Sequence, residues 1–149
     1  MPLQILVAVA GAARQRLERI LAGHDLTFAA TLKELRAAWQ PARFDAVLVG
    51  THFDESTTFE ALRDVLGGER PPPVICVHAL PFGHGLSEST MHAFRAACYE
   101  LGVRLVLDLV EYREDRVGDR KARRILERTV NPAWRRRPSP SSRRVRGPA

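Results

Sequence analysis

The chain has 149 residues, 45% apolar and 27% charged, the balance of an ordinary globular protein with one core and not of a disordered chain. Its formal charge of +6 is unevenly spread: residues 1 to 112 carry 10 Lys and Arg against 13 Asp and Glu, whereas residues 113 to 149 carry 13 against 4. The basicity therefore belongs to the C-terminal end.

Residues 3 to 9 (LQILVAV) form an apolar run that reaches Gly11, and residues 13 to 23 then place Leu17, Ile20 and Leu21 at helical spacing, which predicts a strand followed by a helix. A second strand is predicted over 26 to 29. It leads to Thr31, whose hydroxyl caps a helix start while Glu34, three residues on, completes a capping box; Leu32, Leu35 and Trp39 supply the apolar stripe. Pro41 ends that helix. The continuous apolar run from Asp45 to Gly50 (DAVLVG) predicts a strand buried on both faces. The next helix is predicted from near Thr57, with Glu60 three residues later, to the Gly67-Gly68 stop. After Pro71 to Pro73 come a strand over 74 to 78 (VICVH) and a loop over 79 to 87 that contains Gly83-His84-Gly85. Ser87 is the predicted cap of a helix carrying Met91, Phe94, Cys98 and Leu101, closed by Gly102 as a left-handed C-cap. The run VRLVLDLV predicts a fifth strand. An arginine-rich helix with Val117, Ile125 and Leu126 follows from about Glu114 to Thr129, and Asn131-Pro132 ends it.

Five strands alternating with five helices imply parallel pairing, because short helical crossovers return each strand in the same direction. The expected fold class is α/β, a doubly wound (βα)5 parallel sheet over residues 1 to 132. Residues 133 to 149 (AWRRRPSPSSRRVRGPA) have almost nothing apolar to bury, which predicts a basic disordered C-terminal tail. Cys76 and Cys98 lack CxxC spacing and lie in apolar surroundings, so two packed, reduced thiols are expected. The N-terminal stretch LQILVAVAGAA lacks a charged n-region and is far shorter than the ~20 residues that span a bilayer. A cytoplasmic protein without a membrane partner is expected.

From the third strand on, FDAVLVGTHFDESTTFEALRDVL resembles, without a gap, the response-regulator receiver segment in which a buried strand ends in the phosphate-accepting aspartate. PPPVICVHAL similarly resembles the fourth receiver strand and ELGVRLVLDLV the fifth, so the resemblance covers roughly residues 3 to 130 and implies a receiver (flavodoxin-like) fold. In that family acidic residues ending the first strand hold Mg²⁺; here the stretch reads Ala8, Val9, Ala10, Gly11. The phospho-acceptor position falls on Gly50, the hydroxyl position ending strand four on His78, and the lysine position ending strand five near Leu109, with Asp108 beside it. Phosphoryl transfer to an aspartate needs a carboxylate nucleophile, an oxygen-ligated divalent ion and a cation for the developing charge. The resemblance therefore implies a degenerate receiver, not an enzyme, that binds no cofactor and signals through protein-protein interaction. Asp54, four residues beyond Gly50, is a candidate substitute acceptor, without the acidic pair that ends the first strand in receivers.

His52 and His78 follow strands three and four, and His84 lies in the next loop, so all three are expected near the carboxyl edge where open α/β sheets bind ligands. With Asp54 nearby they form a candidate ligand or zinc set. Their spacing matches no local metal signature, and solvated or packed histidines are the plainer expectation. No GxSxG, Walker or GxGxxG element occurs.

The basic end has three readings: a solvated helix with a solubilising tail, a face for an acidic protein partner, or a nucleic-acid contact through the tail. Arg135, Arg136, Arg137, Arg143, Arg144 and Arg146 suit phosphates, with only Trp134 available for stacking. In receivers the face of helix four, strand five and helix five mediates pairing, so the resemblance implies an interaction face at Arg116, Arg120, Arg123 and Arg124 and leaves homodimerisation open.

Overall fold

The computed structural model describes residues 2–54, 57–79 and 87–131. Five strands, β1 (Gln4–Ala8), β2 (Asp25–Ala29), β3 (Ala46–Gly50), β4 (Val74–His78) and β5 (Leu105–Asp108), form one parallel sheet in the order β2-β1-β3-β4-β5. Between and after them run α1 (Gly11–Ile20), α2 (Leu32–Ala38), α3 (Thr58–Leu66), α4 (Glu88–Leu101) and α5 (Arg116–Val130), with a 3₁₀ turn at Leu109–Glu111. The doubly wound fold expected from the alternation of elements is the one observed.

The continuous apolar strands are explained by cover on both faces. Leu6, Ala8, Val47, Val49, Cys76 and Val106 point to a core shared with α2, α3 and α4, whereas Ile5, Val7, Leu48, Ile75, Val77 and Leu107 point to a core shared with α1 and α5. Every residue of β3 and β4 is buried, which is why neither strand alternates with polar residues. No helix among the described residues is long and apolar enough to cross a membrane.

Local capping explains most helix boundaries. Thr31 Oγ1 accepts the Glu34 N–H at 3.1 Å, and Glu34 Oε2 reaches back to the Ala30 N–H at 2.8 Å, one residue before the cap itself. Ser87 accepts the Thr90 N–H at 3.2 Å, and Gly102 closes α4 at φ 108°, both as the sequence predicts. Two expectations are corrected. The Thr57 hydroxyl caps nothing at the start of α3, because it bonds back to the Phe53 carbonyl at 3.4 Å. The fifth strand stops at Asp108 instead of running to Val110: the Asp108 carboxylate accepts the Val110 N–H at 3.0 Å and starts the 3₁₀ turn. Helix α5 begins at Arg116, capped by Asp115, whose carboxylate accepts the Gly118 N–H at 2.8 Å. The expected tail, 133 to 149, lies outside the described residues.

Candidate functional site

Strand order reverses between β1 and β3, and the crevice beyond their carboxyl ends is where an open parallel sheet usually holds a ligand. Among the described residues the space there is small: Val9, Ala10, Ala13, Gly50, Thr51, His52, Val77 and Ala79 line about 10 Å³, at the limit for a single water. A Cβ built on Gly50 would meet Cα and Cγ1 of Val9 at 3.4 Å, an ordinary van der Waals contact, so Val9 borders residue 50 without excluding a small side chain. The Gly50 carbonyl accepts from Thr58 Oγ1 at 2.8 Å and from the Phe53 N–H at 3.2 Å, and Phe53 itself is fully buried. These bonds and the buried Phe53 fix the turn that follows β3.

Among the described residues, the carboxylate that follows β3 is already used. Asp54, in the left-handed region at φ 40°, turns its Oδ2 to the Leu32 N–H at 2.7 Å, which places a negative charge on the positive end of α2. It ties the β3–α3 loop to the start of the preceding helix. His52 and His78 do meet: their ring centroids are 5.7 Å apart and tilted by 50°. His78 is only 4% exposed, and its Nδ1 pairs with Thr51 Oγ1 at 2.9 Å, which fixes the ring. His84 lies outside the described residues, and among those described no group of three or more His, Cys, Asp or Glu side chains is placed to hold a metal ion.

Two strands further along the same edge the sheet is open. A cleft of about 510 Å³ is lined by His78, Glu88, Met91, His92, Arg95, Asp108 and Glu111. His78 and Asp108 stand opposite each other in the β4–β5 register. The strand-terminal position of β5 is thus a carboxylate, and Leu109, the first residue of the turn, is fully buried in the α1/α5 core. Neither Asp108 nor Leu109 supplies a cation to the acceptor end.

A buried cation that sequence reasoning missed stands behind this edge. Arg16 of α1, 9% exposed, donates to the carbonyls of Leu109 at 2.8 Å, Tyr112 at 2.7 Å and Arg113 at 3.3 Å, and pairs with Asp119 at 3.4 Å. It holds the segment between β5 and α5 and lines a cavity of about 300 Å³ with Ala13 and Ala79, which also border the crevice at β1 and β3. The signal was its position within the stripe Ala13, Arg16, Leu17, Ile20, where an arginine must find buried partners.

The four arginines of the expected interaction face do not act alike. Arg116, Arg120 and Arg124 are exposed, but Arg123 turns to α1: it donates to the carbonyls of Ala22 at 2.6 Å and Ile20 at 3.3 Å and pairs with Glu127, which also meets His24 at 3.3 Å. The assignment of Arg123 to an outward face is therefore corrected, because α1 ends with carbonyls that need donors. Cys76 and Cys98 are buried and unpaired, with their sulfurs 3.8 Å apart. The shared S–H···S contact and burial push the Cys76 thiol well above its ordinary value, so it stays a neutral core group at neutral pH.

No protein-family model and no curated protein sequence matches the chain. Solved structures do. A CheY-like response regulator receiver domain protein from Methanospirillum hungatei JF-1 superposes at a TM-score of 0.65 with 16% identity, covering 92% of this chain and all of that one. The non-phosphorylated HemR receiver domain from Leptospira biflexa gives 0.60 at 19% identity, with 88% and 95% covered. The receiver domain of a sensor histidine kinase from Pseudomonas aeruginosa PAO1, which holds a magnesium ion in its active-site cleft, gives 0.61 at 20% identity, with 87% and 98% covered. At these identities the likeness is one of fold: the chain has the flavodoxin-like fold of receiver domains.

Proposed function

We propose that the chain is a signalling interaction module with the receiver fold that works without phosphorylation and without catalysis. The observation that carries this reading is that the carboxyl ends of β1 and β3 offer, among the described residues, no carboxylate free to take a phosphoryl group. Gly50 has no side chain, Val9 and Ala10 are no ligands for a cation, and Asp54 is committed to the Leu32 N–H. Phosphoryl transfer there would require a carboxylate nucleophile, an oxygen-ligated divalent ion and a cation. With that chemistry gone, the fold's remaining use is as a surface held in one conformation. The face formed by α4, β5 and α5 is the one assigned to a protein partner, and two buried, unpaired thiols support a cytoplasmic setting.

Incubation of the full chain with acetyl phosphate and Mg²⁺ tests the first half. No mass increase is expected, and a stoichiometric, acid-stable, base-labile acyl phosphate would overturn the reading. Cross-linking of tagged full-length protein in lysate, with and without nuclease, tests the second. A defined protein that survives nuclease is expected; retention of nuclease-sensitive material alone would replace protein interaction with nucleic-acid binding.

A further inference from the structure

Helix α5 separates its charges by flank. The C-terminal segment from residue 113 contains four acids, and all four are spent within the domain. Glu114 pairs with Arg19 at 2.6 Å, Asp119 with Arg16 at 3.4 Å and Arg19 at 3.7 Å, and Glu127 with Arg123 and His24. Asp115 caps the helix. The opposite flank is left with Arg116, Arg120, Lys121, Arg124 and Arg128, all exposed and none in an ion pair or side-chain hydrogen bond among the described residues.

Arginines at 116, 120, 124 and 128 recur one turn apart over about 18 Å at 1.5 Å per residue. Like charges at this spacing repel within the helix. Arg116 sits in the first turn, at the positive end of the helix, where Asp115 is taken up by the backbone cap and Asp119 by Arg16 and Arg19. An unoccupied surface gains nothing from this arrangement, whereas one that receives carboxylates does.

Apolar groups decide between kinds of polyanion. Val117, in the same run, is 60% exposed, the most exposed large apolar side chain among the described residues. At the neighbouring open edge Tyr99 of α4 is 44% exposed while its hydroxyl accepts the Val106 N–H at 3.1 Å, and Arg104 bridges β5 to the Thr129 carbonyl at 3.4 Å. A phosphate backbone would leave Val117 and Tyr99 in water. A protein surface would bury them, and arginine with tyrosine around an apolar centre is the composition of protein interfaces.

We propose that the outward flank of α5 docks an acidic protein helix, with carboxylates one turn apart beside an apolar side chain that covers Val117. This rests on the interaction-module reading and names that partner's chemistry. The probe is a labelled 20-residue peptide repeating Glu-Ala-Ala-Leu, titrated with the full chain at 50 and 200 mM salt beside a 20-base-pair DNA duplex. Peptide binding is expected to weaken at least about tenfold in R120E/R124E, where like charges would face each other. V117S should weaken it about threefold to tenfold through lost apolar contact while leaving duplex binding unchanged. Melting temperatures of both variants should match the parent, since all three side chains are exposed. Peptide binding that is absent, or equal in R120E/R124E, would overturn the proposal. So would a duplex that binds through the same arginines more tightly than the peptide. If a nuclease-resistant partner still cross-links to R120E/R124E, the interaction-module reading stands and only this assignment of its partner's chemistry falls.

Discussion

The carboxyl edge of the sheet has two ends that face the same way and behave oppositely. At β1 and β3 the crevice holds about 10 Å³ and is walled by Val9, Ala10, Gly50 and Val77; at β4 and β5 a cleft of about 510 Å³ is walled by His78, Glu88, His92, Arg95 and Asp108. The difference teaches how side-chain charge goes with open space: Val9, Ala10 and Gly50 bring no charge to the ends of β1 and β3, whereas Glu88, Arg95 and Asp108 line the cleft at β4 and β5. Thr51 and His78 form the seam between the two ends, bonded at 2.9 Å.

Substitutions at the two ends should therefore differ steeply in cost. Phe53→Ala, which empties a fully buried ring site at the narrow end, is expected to cost about 3–5 kcal/mol in denaturant unfolding; a loss below 1 kcal/mol would mean the narrow end is not packed as described. Gly50→Asp comes next, at about 1–3 kcal/mol, because its carboxylate is partly desolvated beside Val9 and Val77 with no cation among the lining residues. The same variant should still acquire no acyl phosphate from acetyl phosphate and Mg²⁺, since no acidic pair is present at Val9 and Ala10. At the seam, Thr51→Val removes the partner of His78 Nδ1 with little change of shape and should cost about 1 kcal/mol. Smallest are Glu88→Gln and His92→Ala in the open cleft, where both side chains are exposed; each should stay within about 0.5 kcal/mol of the parent. A reversal of this order, with the open cleft costlier than the seam, would break the comparison.

Much of this was legible residue by residue. The caps at Thr31 and Ser87 and the stop at Gly102 are local signals, each confined to one turn, and they mark α2 and α4 correctly. At Thr57 the hydroxyl bonds instead to the carbonyl of Phe53, four residues back in the same local turn. That Gly50 ends a buried strand could be read from the strand pattern. That Val9 lies against it could not, because the contact joins segments 41 residues apart.

The sequence by itself determined the order of elements, the two-sided burial of β3 and β4 and the concentration of positive charge after residue 112, because apolar period and composition are properties of short windows. Only the tertiary structure decided which charges are spent. Arg16 reaches a carbonyl 93 residues away and Arg123 one 101 residues away, while Arg120 and Arg124, on the same basic helix as Arg123, reach nothing among the described residues. A side chain's partner depends on which element the fold brings beside it, and no periodicity within α5 records where α1 ends.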